Sequence, residues 1–267
     1  MADEESGLQQ QAIGALLASG FPFQTAVSQI VRQATDWDVS AEEFPWRDES
    51  GTDHFLDLVG AKYFFVVTIE CKKTQKEVLT FLQPGGVNGD VIRKRCLYLT
   101  QIQDSTRRME LFCSDWRLSP KSAESAFCVV STSASGKDQR LLERDAQLLV
   151  RATDAYAKRY KVDFKVTHNP EHDRVIVPII VTNARLLVAE YDAGAVSLET
   201  GQLPISSASN LVEVPWVRFR KALTTSARDV GDRTVFIVRA TELVAWLKGL
   251  EFAGKPVPES EGRVHIR

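Results

Sequence analysis

The sequence predicts an α/β fold built around a mixed β-sheet. The apolar runs Tyr63–Ile69 and Val175–Val181 are typical of strands that are covered on both faces. Helical periodicity in residues 8–34 and 137–160 places helical segments before each of these strands. Helices that alternate with buried strands are the pattern of a layered protein in which helices flank the sheet.

The chain opens with two predicted helices and a short helical turn. Gly20 and Pro22 interrupt the periodicity of residues 8–34, so we expect a corner between two helices there. Ser40–Glu43 has the composition of a single helical turn that begins with a serine cap. Aromatic side chains on either side of this turn are predicted to be core anchors: Trp37, Phe44 and Trp46.

The segment His54–Lys73 is the most informative part of the chain, because it carries charged residues within apolar strands. Phe55–Val59 is predicted to be one strand and Tyr63–Cys71 the next. A tight turn at Gly60–Lys62 is expected to join them.

Three charged residues on this strand pair, Asp57, Glu70 and Lys72, are candidate functional residues. Side chains alternate along a strand, so Glu70 and Lys72 face the same side of the sheet. A turn at residues 60–62 would set Asp57 opposite about residue 65. The strands must therefore bend or splay if Asp57 is to approach Glu70.

The rest of the chain is predicted to complete the sheet and to add a second β-rich region. Residues 78–131 combine turn signals with short apolar strands and are interpreted as a β-rich insertion. Val175–Thr182 and Leu186–Tyr191 are predicted to form a hairpin. We expect residues 1–190 to form the core and residues 191–267 to form a C-terminal extension that packs on it.

Composition limits the class of partner and the cellular location. The 267 residues are 44% apolar and 25% charged, as in ordinary folded proteins, and the net charge is −2, so any nucleic-acid surface must be local. The four cysteines form no C-x-x-C pair and are interpreted as free thiols in a reducing compartment. The apolar runs fall far short of the roughly 20 residues that span a bilayer, and no apolar signal core opens the chain. We therefore expect a cytoplasmic protein without membrane association.

Asp57, Glu70 and Lys72 provide the groups that metal-dependent hydrolysis of a phosphodiester requires. Two carboxylates bind a hard divalent cation such as Mg²⁺, for which Mn²⁺ could substitute, and the backbone carbonyl of Cys71 is a candidate third ligand. A bound cation acidifies water and stabilises the charge that develops on the phosphate. A lysine ammonium adds to this stabilisation.

These residues resemble the PD-(D/E)xK nuclease superfamily, which has the restriction-endonuclease-like fold. The match consists of Asp57 and, at the end of a long apolar strand, Glu70-Cys71-Lys72. It implies that the two acids are metal ligands, that the lysine is catalytic, and that the core is a restriction-endonuclease-like mixed sheet flanked by helices. Helix 137–160 and the strand after it resemble the later helix and strand of the family. Leu56 stands where a proline is usual, and residues 78–131 displace the helix that usually follows the lysine.

The resemblance also indicates further contacts to metal and substrate. The superfamily often places an acidic residue in its first helix; residues 8–34 contain none, so Glu42 or Glu43 is the candidate. Gln75 could contact metal-bound water or DNA. Basic residues attract phosphates, although each basic cluster is equally compatible with a solvated charged face. The candidates are Arg93, Lys94, Arg95, Arg218 and Arg220.

The sequence therefore predicts a Mg²⁺-dependent DNA nuclease, an endonuclease rather than an exonuclease, in prokaryotic defence or DNA processing. A homodimer, and a protein partner that supplies target recognition, are expected by analogy. Two alternatives stay open. The first is a non-cleaving nucleic-acid-binding or scaffold module of the same fold. The second is an unrelated α/β protein in which Asp57 and Lys72 form a structural ion pair.

Overall fold

The structure of the protein, a computed structural model, combines four α-helices with many short and medium strands in the residues it describes. The described residues are 2–33, 36–63, 65–74, 78–85, 97–103, 109–115, 118–131, 141–163, 174–203, 210–224, 230–253 and 264–265. The helices are α1 (Ala2–Ala18), α2 (Phe21–Gln33), α3 (Leu141–Asp163) and α4 (Leu243–Gly249). The strands are β1 (Asp38–Arg47), β2 (Asp53–Lys62), β3 (Phe65–Lys72), β4 (Val78–Gly85), β5 (Leu97–Gln103), β6 (Met109–Asp115), β7 (Leu118–Ser119), β8 (Ala123–Ser125), β9 (Phe127–Ser131), β10 (Arg174–Thr182), β11 (Arg185–Asp192), β12 (Asn210–Glu213), β13 (Trp216–Thr224), β14 (Val230–Arg239), β15 (Glu251–Phe252) and β16 (Val264–His265).

The largest sheet is mixed and runs in the order β1-β2-β3-β10-β14-β13-β8. β5 also pairs with β10, and β6 and β16 follow outward from β5. β1, β2 and β3 are antiparallel neighbours, whereas β3, β10 and β14 are parallel. The predicted α/β class with a mixed sheet flanked by helices is confirmed.

Helices cover both faces of the central strands, so the core has two halves. On one face α3 packs in the α3-side core, which includes Val66, Leu149 and Ile180. On the other face α2 and α4 pack in the α2/α4-side core, which includes Val67 and Trp246. Val66 and Val67 are consecutive residues of β3 that enter opposite halves. This confirms the prediction that the strand is buried on both faces.

A second, four-stranded sheet extends from the ends of β3 and β10. β4 and β11 follow these strands in the chain and pair in parallel, with β9 and β12 at the edges. Asn183 joins the two strand ends, because its Oδ1 accepts a hydrogen bond from the Thr74 N–H at 2.7 Å and its Nδ2 donates to the Thr74 carbonyl at 3.0 Å. The predicted hairpin of β10 and β11 is therefore wrong, since these strands belong to different sheets. The strands of residues 78–131 are divided between these two sheets, except for β7, which pairs with β15.

Ser40–Glu43, predicted to be a helical turn, lies in β1 instead. β1 pairs with β2 in antiparallel fashion, and Ser40 Oγ donates to the Val59 carbonyl at 3.2 Å rather than capping a helix. The pairing is irregular between Val39 and Ala41. This irregularity breaks the period of two by which a strand is recognised in a sequence.

Two other predictions for this part of the chain are confirmed. α1 ends at Ala18 and α2 begins at Phe21, so the expected corner lies between them. Trp37 and Trp46 are buried, and Phe44 packs against the α3-side core.

The predicted turn at Gly60–Lys62 is wrong, because β2 continues through these residues. Gly60 pairs with Val67 in the ladder, and a Cβ on Gly60 would lie 2.9 Å from Val67 Cγ2. The glycine is needed for close packing within the strand rather than for a turn. The chain turns at Tyr63, whose φ of 49° lies in the left-handed region.

Candidate active site

The corrected turn position sets Asp57 opposite Glu70. β2 and β3 pair as far as Leu58 and Ile69, so Asp57 and Glu70 are the next residues along the two strands. Beyond the last ladder pair, a side chain takes the place of a backbone acceptor on β2. Asp57 Oδ2 accepts a hydrogen bond from the Cys71 N–H at 2.6 Å. Both predicted strand acids therefore lie at the same end of the same strand pair.

The strands around Asp57 are irregular. Leu56 packs in the α3-side core and Leu58 in the α2/α4-side core, although alternate residues of a regular strand share a face. On β1, Glu43 lies between the residues that pair with Leu58 and Leu56, and its φ of 49° is left-handed. Gln24 of α2 braces this corner, because its side-chain amide donates to the Asp57 carbonyl at 3.4 Å and to Glu43 Oε1. Irregular strands redirect side chains and are frequent beside active sites.

The two acids proposed for the early part of the chain have different surroundings. Glu42 accepts hydrogen bonds from Ser28 Oγ and from Arg32 Nη2, both at 2.5 Å, and is held against α2. Glu43 lies on the side of the strand acids. Burial raises the pKa values of Asp57 and Glu70, and the charge of Glu43 adds to both shifts. Glu43 is therefore the better placed of the two.

Glu70 and Lys72 form an ion pair on the face of β3 that α3 covers. Lys72 Nζ lies 2.9 Å from Glu70 Oε1 and 3.5 Å from Asp145 Oδ1. The side chains of Glu70 and Asp145 are 17% and 12% exposed, whereas that of Lys72 is 34% exposed. The lysine thus lies between an acid of its own strand and an acid of the covering helix. It is the most accessible of the three.

Asp145 is the site residue that the sequence argument missed. It lies on the buried side of α3, among Leu142, Ala146 and Leu149. An acidic residue within the apolar stripe of an amphipathic helix is a signal that could have found it, since a carboxylate there needs a partner.

Burial shifts the pKa values at the site, and among the described residues an excess of carboxylates over cations adds to the shifts. Burial raises the pKa of Asp57 to about 7, and the negative charge of Glu70 adds to the shift. Burial also raises the pKa of Glu70, although Lys72 opposes it. For Lys72, burial favours the neutral amine, but the charges of Glu70 and Asp145 outweigh burial and raise its pKa. The ammonium is therefore retained, and the described side chains around it carry more acidic than basic groups.

The donor set fits a hard divalent cation. Asp57 and Glu70 offer carboxylate oxygens, which Mg²⁺ prefers, and a cation would relieve the cost of holding both acids ionised side by side. The Cys71 carbonyl stays a predicted third ligand. Within the described residues no group of three or more His, Cys, Asp and Glu side chains is arranged to hold a metal. The proposed ligands are accordingly the acid pair, one carbonyl and water, since Mg²⁺ usually keeps several waters.

The basic residues proposed to contact phosphates on β13 are engaged within the protein. Arg218 is buried, donates to the Leu118 carbonyl at 2.7 Å, and lies over the ring of Phe236. Arg220 Nε is 2.8 Å from Glu124 Oε1. A role in phosphate binding stays a prediction and would compete with these internal contacts. The other proposed contacts lie outside the described residues: Gln75, Arg93, Lys94 and Arg95.

Comparison with known proteins does not add a family to this description. No protein-family model, curated protein or solved structure matches the chain. None of the described helices combines the length and the apolar character needed to cross a membrane. The fold and the site define a mixed α/β protein with a facing pair of acids and a lysine at one strand end.

Proposed function

We propose that the protein is a metal-dependent nuclease that hydrolyses phosphodiester bonds of DNA, with Asp57, Glu70 and Lys72 as its catalytic residues. The main support for the proposal is the register of β2 and β3, which makes the two acids the first residues beyond the last ladder pair. Lys72 Nζ is also 2.9 Å from Glu70 Oε1. Two carboxylates and an ammonium at one strand end are the groups that metal-assisted phosphodiester hydrolysis uses.

The order of elements supports a restriction-endonuclease-like core. α2 precedes the antiparallel strands β1, β2 and β3, and α3 precedes β10, which is parallel to β3. α3 and β10 would then be the later helix and strand of the family, with residues 78–131 as the insertion. β13 and β14 of the extension 191–267 continue the sheet beyond β10.

Each residue of the site has a distinct task in this proposal. Asp57 and Glu70 hold the cation through carboxylate oxygens, and the Cys71 carbonyl completes the protein ligands. Mg²⁺, or Mn²⁺ in its place, supplies when bound a Lewis acid that lowers the pKa of water and neutralises phosphate charge. Lys72 donates from its ammonium to a phosphate oxygen or to the attacking water, and so stabilises the developing negative charge.

The observed contacts differ from those expected of a structural ion pair between Asp57 and Lys72. The Asp57 carboxylate accepts from the Cys71 N–H, whereas Lys72 pairs with Glu70 and Asp145. Burial raises the pKa of Asp57 to about 7, which is the opposite of the shift that a close cation partner produces. Asp57 is therefore better explained as a ligand for a cation that binds from outside.

The proposal extends to the setting that the resemblance implies. We infer endonucleolytic cutting by a homodimer or larger assembly, a protein partner that supplies target recognition, and a place in prokaryotic defence or DNA processing in the cytoplasm. These inferences come from analogy with the superfamily and depend on the nuclease activity.

Cleavage of supercoiled plasmid DNA tests the proposal. The wild type is incubated with Mg²⁺, Mn²⁺ or EDTA and compared with Asp57→Asn and Lys72→Met, which keep side-chain size. Cutting should require the cation and should fall about 100-fold or more in both variants, because each removes a charge that the reaction uses. Glu190→Gln and Lys248→Met are matched controls, since both residues are exposed and lie outside the site.

The two alternative hypotheses, a non-cleaving module and a structural ion pair, predict different results in the same experiment. A wild type that retains DNA without cutting it favours a non-cleaving binding or scaffold module. A large loss of folding in Asp57→Asn and Lys72→Met, without any effect on DNA, favours a structural role for these charges. Circular dichroism of every variant separates loss of chemistry from loss of fold.

A further inference from the structure

Asp145 reaches the candidate active site from a different layer of the protein. Its Oδ1 is 3.5 Å from Lys72 Nζ, and Glu70 Oε1 is 2.9 Å from the same nitrogen. A lysine ammonium has three N–H donors. Two carboxylates close to the ammonium leave at least one of these donors for a water or a phosphate oxygen.

Asp145 is not a solvated surface acid. Its side chain is 12% exposed and lies with Leu142, Ala146 and Leu149 on the buried side of α3. A carboxylate in such surroundings is costly unless a charged group or hydrogen-bond donor compensates it. Lys72 is the ion-pair partner that the structure gives it.

A buried hydroxyl pair fixes the position of α3 along β3. Thr68 Oγ1 and Thr153 Oγ1 are 2.7 Å apart, and Thr153 Oγ1 also donates to the Leu149 carbonyl at 2.8 Å. Lys72 lies about 13 Å further along β3 than Thr68, at the rise of an extended strand. Asp145 lies about 12 Å from Thr153 along α3 in the same direction, at the rise of an α-helix. The helix and strand therefore bring Asp145 over Lys72 whenever the two threonines are in contact.

We propose that Asp145 is a positioning residue that holds the Lys72 ammonium in place while Glu70 binds the catalytic cation. The inference rests on the proposed function, in which Glu70 is a metal ligand. Once Glu70 shares its charge with a cation, its attraction for Lys72 weakens. Asp145 supplies a second anchor from a different layer, and a misplacement of about 1 Å in a reacting group can cost about 100-fold in rate.

Single-turnover cleavage tests this role. Asp145→Asn keeps the side-chain size and removes the charge. With DNA and Mg²⁺ saturating, the cleavage rate constant should fall about 10- to 100-fold, while the Kd for DNA changes less than about 2-fold. In the Lys72→Met background, Asp145→Asn should cause no further loss, because the residue that it positions is gone.

Asp154 provides a matched control on the same helix. Its side chain is 13% exposed, and its Oδ2 is 3.5 Å from Nη2 of the buried Arg233. Asp154→Asn should lower the Tm about as much as Asp145→Asn does, yet leave the cleavage rate within about 2-fold of wild type. Equal rate losses in both variants would assign the effect to helix stability and overturn the proposal. An Asp145→Asn enzyme that cuts at the wild-type rate would overturn it as well.

Thermal denaturation tests the contact without relying on activity. Lys72→Met leaves Asp145 as a buried carboxylate without its cation, so Asp145→Asn should raise the Tm in that background, although it lowers the Tm of the wild type. Additive Tm changes would show that the two residues do not interact. A wild type that fails to cut DNA with either cation would overturn the nuclease proposal. The Tm comparison of the single and double variants would still show whether Asp145 interacts with Lys72.

Discussion

Asp57 and Glu70 are the first residues beyond the paired length of β2 and β3, and there the Asp57 carboxylate accepts the hydrogen bond of the Cys71 N–H in place of a strand partner. One side chain therefore closes the end of the ladder and also lies beside a second acid. Burial and the charge of Glu70 raise the pKa of Asp57 to about 7. Two acids held in this way repel each other when both are ionised, and a bound cation would remove that repulsion.

Asp57→Asn should stabilise the metal-free protein at alkaline pH. The pKa of Asp57 is about 7 in the folded protein against an ordinary value of 3.8. An acid whose pKa is raised by folding gives stability that is fully present below the unfolded value and is lost as the pH rises through the folded value. The advantage of the variant in free energy of unfolding should therefore grow by about 2–3 kcal/mol between about pH 5 and pH 8. Urea denaturation in EDTA measures it.

Glu190→Gln is the control for this pH series, because Glu190 is exposed on β11. Its difference from the wild type is the baseline against which the Asp57→Asn series is compared. A constant difference for Asp57→Asn over the same range would mean that Asp57 titrates normally in the folded protein. Burial and the charge of Glu70 would then have no effect on Asp57.

Mg²⁺ should stabilise the wild type, and Glu70→Gln should remove most of this effect. A ligand at 100 times its Kd stabilises a folded protein by about 2.7 kcal/mol. The effect should be larger at pH 8 than at pH 6, because the cation competes with protons for Asp57 and Glu70. Thermal denaturation at increasing MgCl₂, with KCl matched for ionic strength, measures it. The same Mg²⁺ response in wild type and variant would place the cation elsewhere.

The central strands could be predicted from the sequence, but the turn that sets their register could not. β3 and β10 are buried on both faces, so they are continuous apolar runs in the sequence. A glycine inside a strand and a glycine in a turn look alike in the sequence, and only the ladder pairing of Gly60 with Val67 shows that Gly60 belongs to the strand. β1 escaped prediction because its irregular pairing and the left-handed φ of Glu43 break the strand period.

The same limit applies to the candidate site. Asp57, Glu70 and Lys72 could be proposed from the sequence, because charged residues inside apolar strands need a reason to be there. Their arrangement depends on where the chain turns, and the predicted position of that turn was wrong. Asp145 could not be placed, because its approach to Lys72 depends on how α3 packs over β3 and not on any local pattern.

Gly60→Ala should destabilise the protein by about 1–3 kcal/mol, the usual cost of overpacking a core. The added Cβ would lie 2.9 Å from Val67 Cγ2 and 3.5 Å from side-chain atoms of Trp37 and Val31. Gly14→Ala is the control, because a Cβ at this exposed position of α1 meets no described atom within 4 Å. That change should be neutral or stabilise by up to about 1 kcal/mol. Urea denaturation of both variants decides the point, and a Gly60→Ala protein as stable as wild type would contradict it.

Thr153→Val should cost more stability than Thr68→Val, although both remove half of the same buried contact. Thr153 Oγ1 donates its single proton to the Leu149 carbonyl at 2.8 Å, so Thr68 must be the donor in the 2.7 Å contact between the hydroxyls. Thr153→Val leaves the buried Thr68 donor unpaired, at about 1–3 kcal/mol. Thr68→Val leaves Thr153 bonded to Leu149 and should cost about 0.5–1.5 kcal/mol.

Urea denaturation of the two single variants and of the double variant checks this order. The double variant should cost less than the sum of the single changes, because both remove one shared contact. Thr153→Val should also weaken the coupling between Asp145 and Lys72, since the hydroxyl pair holds α3 in position along β3. A larger cost for Thr68→Val would mean that Thr153 directs its proton to Thr68 rather than to Leu149. The hydroxyl pair would then hold β3 and α3 together without the helix carbonyl.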